Sequence, residues 1–235
     1  MKRVEDHNIY ILHTYPFKET SLIVEALSEN FGRISLLAKG ARRPRSLLRG
    51  YLQPFQMIQA TWSNVSDLKT LYNVEWNSKY LGLKNQALIC GFYMNELIMK
   101  LLPKDEPSND FFHFYHQQLE ELSSNVGYES LLRVFELKLL EELGYKVKLD
   151  EDENGYPINP KKFYYYEAEY GASLPDASTN GVKIIGQTLI DMHNNDYSHL
   201  NTLKESKLLM RYLMRFYTGH DLVKSKELFL TNDDR

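Results

Sequence analysis

The chain has 235 residues, 43% of them hydrophobic and 25% charged, with a formal net charge of -3. Those proportions fit a folded protein of one large or two small domains and exclude a disordered or fibrous chain. A single cysteine, Cys90, excludes an internal disulfide framework and a thiolate zinc cluster, which fits a reducing, cytoplasmic setting. The opening MKRVEDHN lacks the apolar stretch of a secretory signal. The most apolar uncharged run, Ala87 to Asn95, is far shorter than the roughly 20 residues a bilayer needs.

From Ile9 to Trp76 the pattern is short runs rich in Ile, Leu, Val, Tyr and Thr between turn residues, as an all-β unit requires. It predicts five strands, near His7 to Thr14, Thr20 to Ser28, Ile34 to Lys39, Pro54 to Trp62 and Leu68 to Trp76. Glu29-Asn30-Phe31-Gly32 predicts a hairpin between the second and third, with Gly32 supplying the positive φ of the turn. Five strands in so short a length cannot form a large sandwich. They suit a small closed barrel without free edges, of which the oligonucleotide-binding (OB) barrel is the commonest of this size.

Between the third and fourth strands lies GARRPRSLLRGYLQ, and the wider window carries Arg33, Lys39, Arg42, Arg43, Arg45 and Arg49. From Asn30 to Ser66 there is no Asp or Glu, although the whole chain is acidic. Solubility requires net charge of either sign, whereas a one-sign cluster makes a field aimed at a polyanion. Arginine predominates, and its planar fork matches phosphate oxygens. These six cations are therefore the candidate nucleic-acid contacts. Phe31, Tyr51, Phe55 and Trp62 lie close enough in sequence to stack on bases, but small barrels also fill their cores with aromatics, and core filling is their expected role.

After Gly82 the apolar period changes from two to about 3.6. Charge changes with it: residues 1–82 hold 11 Lys and Arg against 7 Asp and Glu, and the remainder 17 against 24. The chain is thus expected to be an α+β protein, a barrel domain over 1–80 followed by a mostly helical domain over 81–235. Helices are predicted at Leu83 to Leu102, ending before Pro103, at Asp110 to Leu122, and at Ser130 to Leu143, capped by Gly144. Residues 148–180 have no sustained period and read as an irregular insertion with one hairpin. Helical pattern resumes at Gln187 to Met192 and at Leu203 to Tyr217, where Thr202 and Glu205 have capping-box spacing and Gly219 is the stop. A last element is expected at Ser225 to Leu230.

Six runs, in order along the chain, resemble the RecO family of bacterial DNA repair proteins: Glu19 to Leu22, Gly32 to Arg42, Leu52 to Phe55, Tyr93 to Leu97 (YMNEL), Arg133 to Tyr145 (RVFELKLLEELGY) and Lys224 to Phe229 (KSKELF). The resemblance implies an amino-terminal OB-fold barrel and a helical carboxy-terminal domain. It implies a protein that binds single- and double-stranded DNA, anneals complementary strands, and acts with RecR to load RecA. It also implies recognition of the carboxy-terminal tail of the single-stranded DNA-binding protein, with Arg133 at the position that helps hold the tail. Many relatives carry a four-cysteine zinc site after the LGY motif. Residues 148–180 here contain no cysteine, so neither zinc nor any other cofactor is expected, and the tyrosines of the insertion are expected to hold it instead.

Other constellations point to ordinary roles. His113, His116 and Glu120 could share a helical face as metal ligands, but that face lies opposite the stripe of Phe112, Tyr115, Leu119 and Leu122 and is expected to meet solvent. The acidic run at Asp150 lacks the alternating ligands of a calcium loop. No phosphate loop, dinucleotide fingerprint or nucleophile elbow is present, so no enzymatic activity is expected. Taken with the resemblance, which implies the role, the expected protein is a nucleoid-associated DNA repair and recombination mediator. An RNA-binding barrel and a helical interaction scaffold are the competing readings.

Overall fold

Alternating burial along the first 76 residues is satisfied by five strands in a computed structural model that describes residues 3–77, 81–124, 127–175 and 181–219. The strands are β1 (Arg3–Phe17), β2 (Ser21–Ser28), β3 (Gly32–Ala38), β4 (Met57–Ser63) and β5 (Leu68–Trp76). They close into a barrel in the order β1-β2-β3-β5-β4. Irregularities between Val4 and His7 and between Ile11 and His13 bend the long β1, so that one part of it pairs with β4 and another with β2. The interior is apolar, with Ile9, Ile11, Val24, Ile34, Leu36 and Trp62 all fully buried. Gly32 takes the left-handed φ of 63° that the β2–β3 hairpin demands.

Register decides which loops meet. Leu22 pairs with Ala38, which sets the β1–β2 turn beside the end of β3. β5 runs parallel to β3, so its carboxy-terminal end leaves the barrel on that same side. The basic stretch, containing the short helix α1 (Leu48–Tyr51), therefore emerges where the β1–β2 turn and the end of β5 converge.

Two helices complete this unit, α2 (Asn85–Leu101) and α3 (Asn109–Ser123). Asn95, buried in α2, donates its amide to the Leu12 carbonyl (2.9 Å) and accepts the Tyr115 hydroxyl of α3 (2.5 Å). Gly91 allows α2 to lie close to the barrel, since a Cβ there would fall 2.9 Å from the Phe55 ring. By internal packing the chain divides into a unit within residues 1–126 and a unit within 127–222, so α2 and α3 pack with the barrel although their periodicity groups them with the later helices.

The second unit contains α4 (Tyr128–Glu142), β6 (Phe163–Glu167), β7 (Gly171–Ser173), β8 (Val182–Ile185), α5 (Gly186–His193) and α6 (Leu200–Tyr217). The expected hairpin in the insertion is β6–β7, and β8 adds a third strand on the other side of β6. Tyr164 and Tyr166 are buried there, and the Tyr164 hydroxyl accepts the Asn159 N–H (2.9 Å). Asp152 organises the acidic run, accepting the N–H groups of Asn154 and Tyr156 on one carboxylate oxygen. Among the described residues no group of three or more His, Cys, Asp and Glu could hold a metal ion. Tyr145 of the LGY motif stacks on Tyr217 at 4.2 Å, which ties the end of α4 to the end of α6.

Two expectations need correction. Thr202 and Glu205 do not form a capping box. Thr202 donates to Asp191 of α5 (2.6 Å), and Glu205 accepts from the Ile185 N–H and the Thr188 hydroxyl, because these side chains face a neighbouring element rather than their own helix end. Nor does the His113 and His116 face simply meet solvent. His116 Nδ1 is hydrogen-bonded to the Tyr10 hydroxyl of β1, and His113 Nε2 lies 3.5 Å from Glu29, so the barrel packs against part of that face. Burial pushes the Tyr10 phenol well above its usual range, with the charge of Glu120 adding to the effect. The element expected at Ser225 to Leu230 lies outside the described residues.

Candidate nucleic-acid interface

Gly40 and the Pro44 ring break the strand pattern after Ala38 and start a run of tight turns. Ala41, Arg43 and Ser46 donate backbone N–H groups to the carbonyls of Ala38, Gly40 and Arg43 respectively. Arg42 anchors the stretch to the β1–β2 turn, its backbone N–H on the Thr20 carbonyl (2.8 Å) and its guanidinium on the Lys18 carbonyl (3.2 Å). Ala41, Leu52 and, in part, Leu48 and Tyr51 pack into the barrel core. The stretch is thus fastened by its apolar residues and leaves its cations outward. Lys39, Arg42, Arg43, Arg45 and Arg49 are all exposed. None of the five pairs with a carboxylate among the described residues.

Arg33 does not join them. Its side chain is only 14% exposed and sits 3.3 Å from Glu25 on the neighbouring strand, while its Nε donates to the Leu102 carbonyl (2.8 Å). Glu25 also accepts from Ser35 (2.6 Å) and lies 3.4 Å from Lys104. The segment after α2 runs along the start of β3, where Asp105 donates its N–H to the Arg33 carbonyl and receives the buried Lys69 at 2.5 Å. Arg33 is therefore part of a polar network that straps this segment to the barrel. The acid-free window could not reveal this, because the acid that balances Arg33 is Glu25, before the window, and the segment that covers it, carrying Lys104 and Asp105, comes long after it.

The aromatics sort by burial. Trp62 is fully buried, Phe55 is buried against Phe92 of α2 at 5.1 Å, and Phe31 packs edge-on against Trp62 at 5.4 Å. Tyr51 lies partly in the core and against Trp76, the last residue of β5, with ring centroids 4.8 Å apart. Lys18 and Trp76 thus belong to the same end of the barrel as the basic stretch, and sequence reasoning passed over both. The strand register that brings them there was the signal that could have found them.

Arg133 lies in the second unit, on α4. Its residue is 7% exposed, and the guanidinium donates to Glu136 one turn on (2.7 Å). Its Nε is buried without a hydrogen-bond partner among the described residues, as is the Tyr197 hydroxyl. Burial pushes the Tyr197 phenol up, an effect that the Arg133 charge opposes. Arg133 is a buried cation of a polar cluster, not an exposed one.

A five-stranded barrel closed in this order, with five exposed cations at one end that pair with no carboxylate among the described residues, belongs to the class of small closed β-barrels, and that end is a candidate surface for a polyanion. The comparisons with known proteins identify the family. Residues 1–80 match the family model described as recombination protein O N terminal, and residues 85–227 the one described as recombination protein O C terminal. Curated relatives named DNA repair protein RecO include those of Nitrosospira multiformis, 43% identical over 97% of this chain and 95% of the relative, and Dechloromonas aromatica, 40% identical over 97% and 96%. The chain belongs to the RecO family of DNA repair proteins, and its amino-terminal barrel is an OB-fold.

Proposed function

We propose that this protein is a non-enzymatic mediator of recombinational repair that binds single- and double-stranded DNA through the basic end of its barrel without reading sequence. The observation that carries the reading is the set of five exposed cations, Lys39, Arg42, Arg43, Arg45 and Arg49, none matched by a carboxylate among the described residues. Phosphates are the ligand such a surface fits, since guanidinium forks make paired, charge-assisted hydrogen bonds to them. Neutralising two backbones at once removes the repulsion that opposes strand pairing, and this is how the protein would anneal complementary strands.

The remaining family functions follow as part of the same proposal. The protein would work in the cytoplasm, at the nucleoid, with RecR to load RecA onto DNA coated by the single-stranded DNA-binding protein, whose tail it would recognise through Arg133. The unpartnered Nε of Arg133 supports that assignment, because it retains donor capacity for an incoming carboxylate. Binding there requires the tail to enter a buried cluster or the cluster to open.

The test is a titration of labelled single-stranded oligonucleotide at several salt concentrations, paired with an annealing assay. Five phosphate contacts give a slope of log affinity against log salt of roughly -3.5 for single strands. A variant with the five cations changed to Gln should lose both binding and annealing, and unchanged annealing by that variant would refute the proposal. For the tail, Arg133→Lys should weaken tail binding while DNA binding stays intact. Equal loss of both would point to a folding defect.

A further inference from the structure

Cations that grip phosphates give a single strand no advantage over duplex, because both present the same phosphates and the duplex presents them more densely. We propose that Trp76 supplies the distinction: its ring, ordered by a tilted contact with Tyr51 at the basic end of the barrel, is a platform for an unpaired base and gives single strands an advantage over duplex. The inference rests on the DNA-binding reading above and deepens it.

Trp76 is the last residue of β5 and, by strand alternation, shares the face of the buried Val74. At that terminal position the core has ended, so the indole lies against Tyr51 with ring planes 31° apart and remains 50% exposed. Tyr51 is itself held, packed partly into the barrel core two residues after Arg49. A single exposed aromatic residue is commonplace. What distinguishes this one is that a second ring restrains it beside the cations of the phosphate grip. An indole that is already ordered loses little conformational freedom when a base stacks on it. On the same stretch Leu47, between Arg45 and Arg49, is 83% exposed and offers a second apolar contact to an unstacked base.

Phe17, at the end of β1, is half-buried with the Lys18 ammonium 5.5 Å from its ring centroid, and the remaining barrel aromatics are committed elsewhere. Trp62 and Phe55 are buried, and Phe31 packs on Trp62. Tyr72 is half exposed but lies under the Arg3 guanidinium at 5.4 Å. Tyr15 is half exposed with its ring 4.4 Å from that of His13. A base inside a duplex is stacked on both faces and its ring plane cannot reach a protein side chain, whereas an unpaired base can lie flat on an indole.

The chain has two tryptophans, and Trp62 is fully buried, so a DNA-dependent change in tryptophan emission reads Trp76. The full-length protein is titrated with a thymidine oligonucleotide and with a duplex of equal length. Single strand should quench the emission and duplex should leave it nearly unchanged. Trp76→Ala should lower single-strand affinity about tenfold, within the range of one stacked base, while duplex affinity and salt slope stay as in wild type. Trp76→Phe keeps a stacking face and should retain most of the affinity. Wild-type single-strand binding by Trp76→Ala, or equal loss on single strand and duplex, overturns the inference while leaving the DNA-binding reading in place. Absence of salt-dependent affinity in the wild-type protein would instead defeat that underlying reading.

Discussion

The two ends of β3 use the same residue types for opposite purposes. At its start Arg33 is enclosed by Glu25, the Leu102 carbonyl and the segment carrying Lys104 and Asp105, and its charge is spent inside the molecule. Past its end Arg42, Arg43, Arg45 and Arg49 stand on a stretch fastened by Ala41, Leu48, Tyr51 and Leu52, with their charges left to solvent. A cation becomes a candidate ligand contact when the fold has no acid within its reach, and density along the sequence does not report that.

The contrast can be broken most forcefully at the exposed end. Changing Lys39, Arg42, Arg43, Arg45 and Arg49 together to Gln should reduce single-strand affinity on the order of 10³-fold at 50 mM salt. Thermal stability should be nearly unchanged, because none of the five is buried; a large drop in Tm would mean that these side chains hold the fold. At the enclosed end the effects reverse. Gly32→Ala would place a Cβ 1.9 Å from the Glu106 carbonyl oxygen at a residue with φ of 63°, and it should cost about 3 kcal/mol in denaturant unfolding. Arg33→Ala removes charged hydrogen bonds while Lys104 still faces Glu25, which sets its cost at about 2 kcal/mol. Its DNA affinity at temperatures where it stays folded should match wild type. The smallest effect belongs to a single loop residue: Arg45→Gln should weaken binding by about fivefold at low salt and reduce the salt slope by roughly 0.7.

Much of this architecture could be read from the residues. Period-two runs located all five barrel strands, and Gly32 and Gly144 marked a hairpin and a helix cap that the backbone confirms with positive φ. What the sequence withheld were relations between distant segments. Glu25 lies diagonally across the β2–β3 ladder from Arg33, since Leu27 pairs with Arg33 and Glu25 with Ser35. Anyone fixing the hairpin register first could have paired those charges, but the charge count was linear. Asp105 and Lys104 could not have been placed at all, because they arrive through the path of the chain after α2. Thr202 and Glu205 failed for a related reason: the spacing of a capping box is also the spacing of two side chains on one helical face, and here that face meets α5 and β8. Trp76 escaped notice because strand ends are where alternation stops predicting burial.

The most direct measurement is the salt dependence of single-strand binding for three proteins side by side: wild type, Arg45→Gln and Arg33→Gln. The account predicts a wild-type slope of roughly -3.5, a shallower slope for Arg45→Gln, and the wild-type slope for Arg33→Gln. A wild-type slope near zero, or a slope for Arg33→Gln as shallow as that for Arg45→Gln, would contradict it.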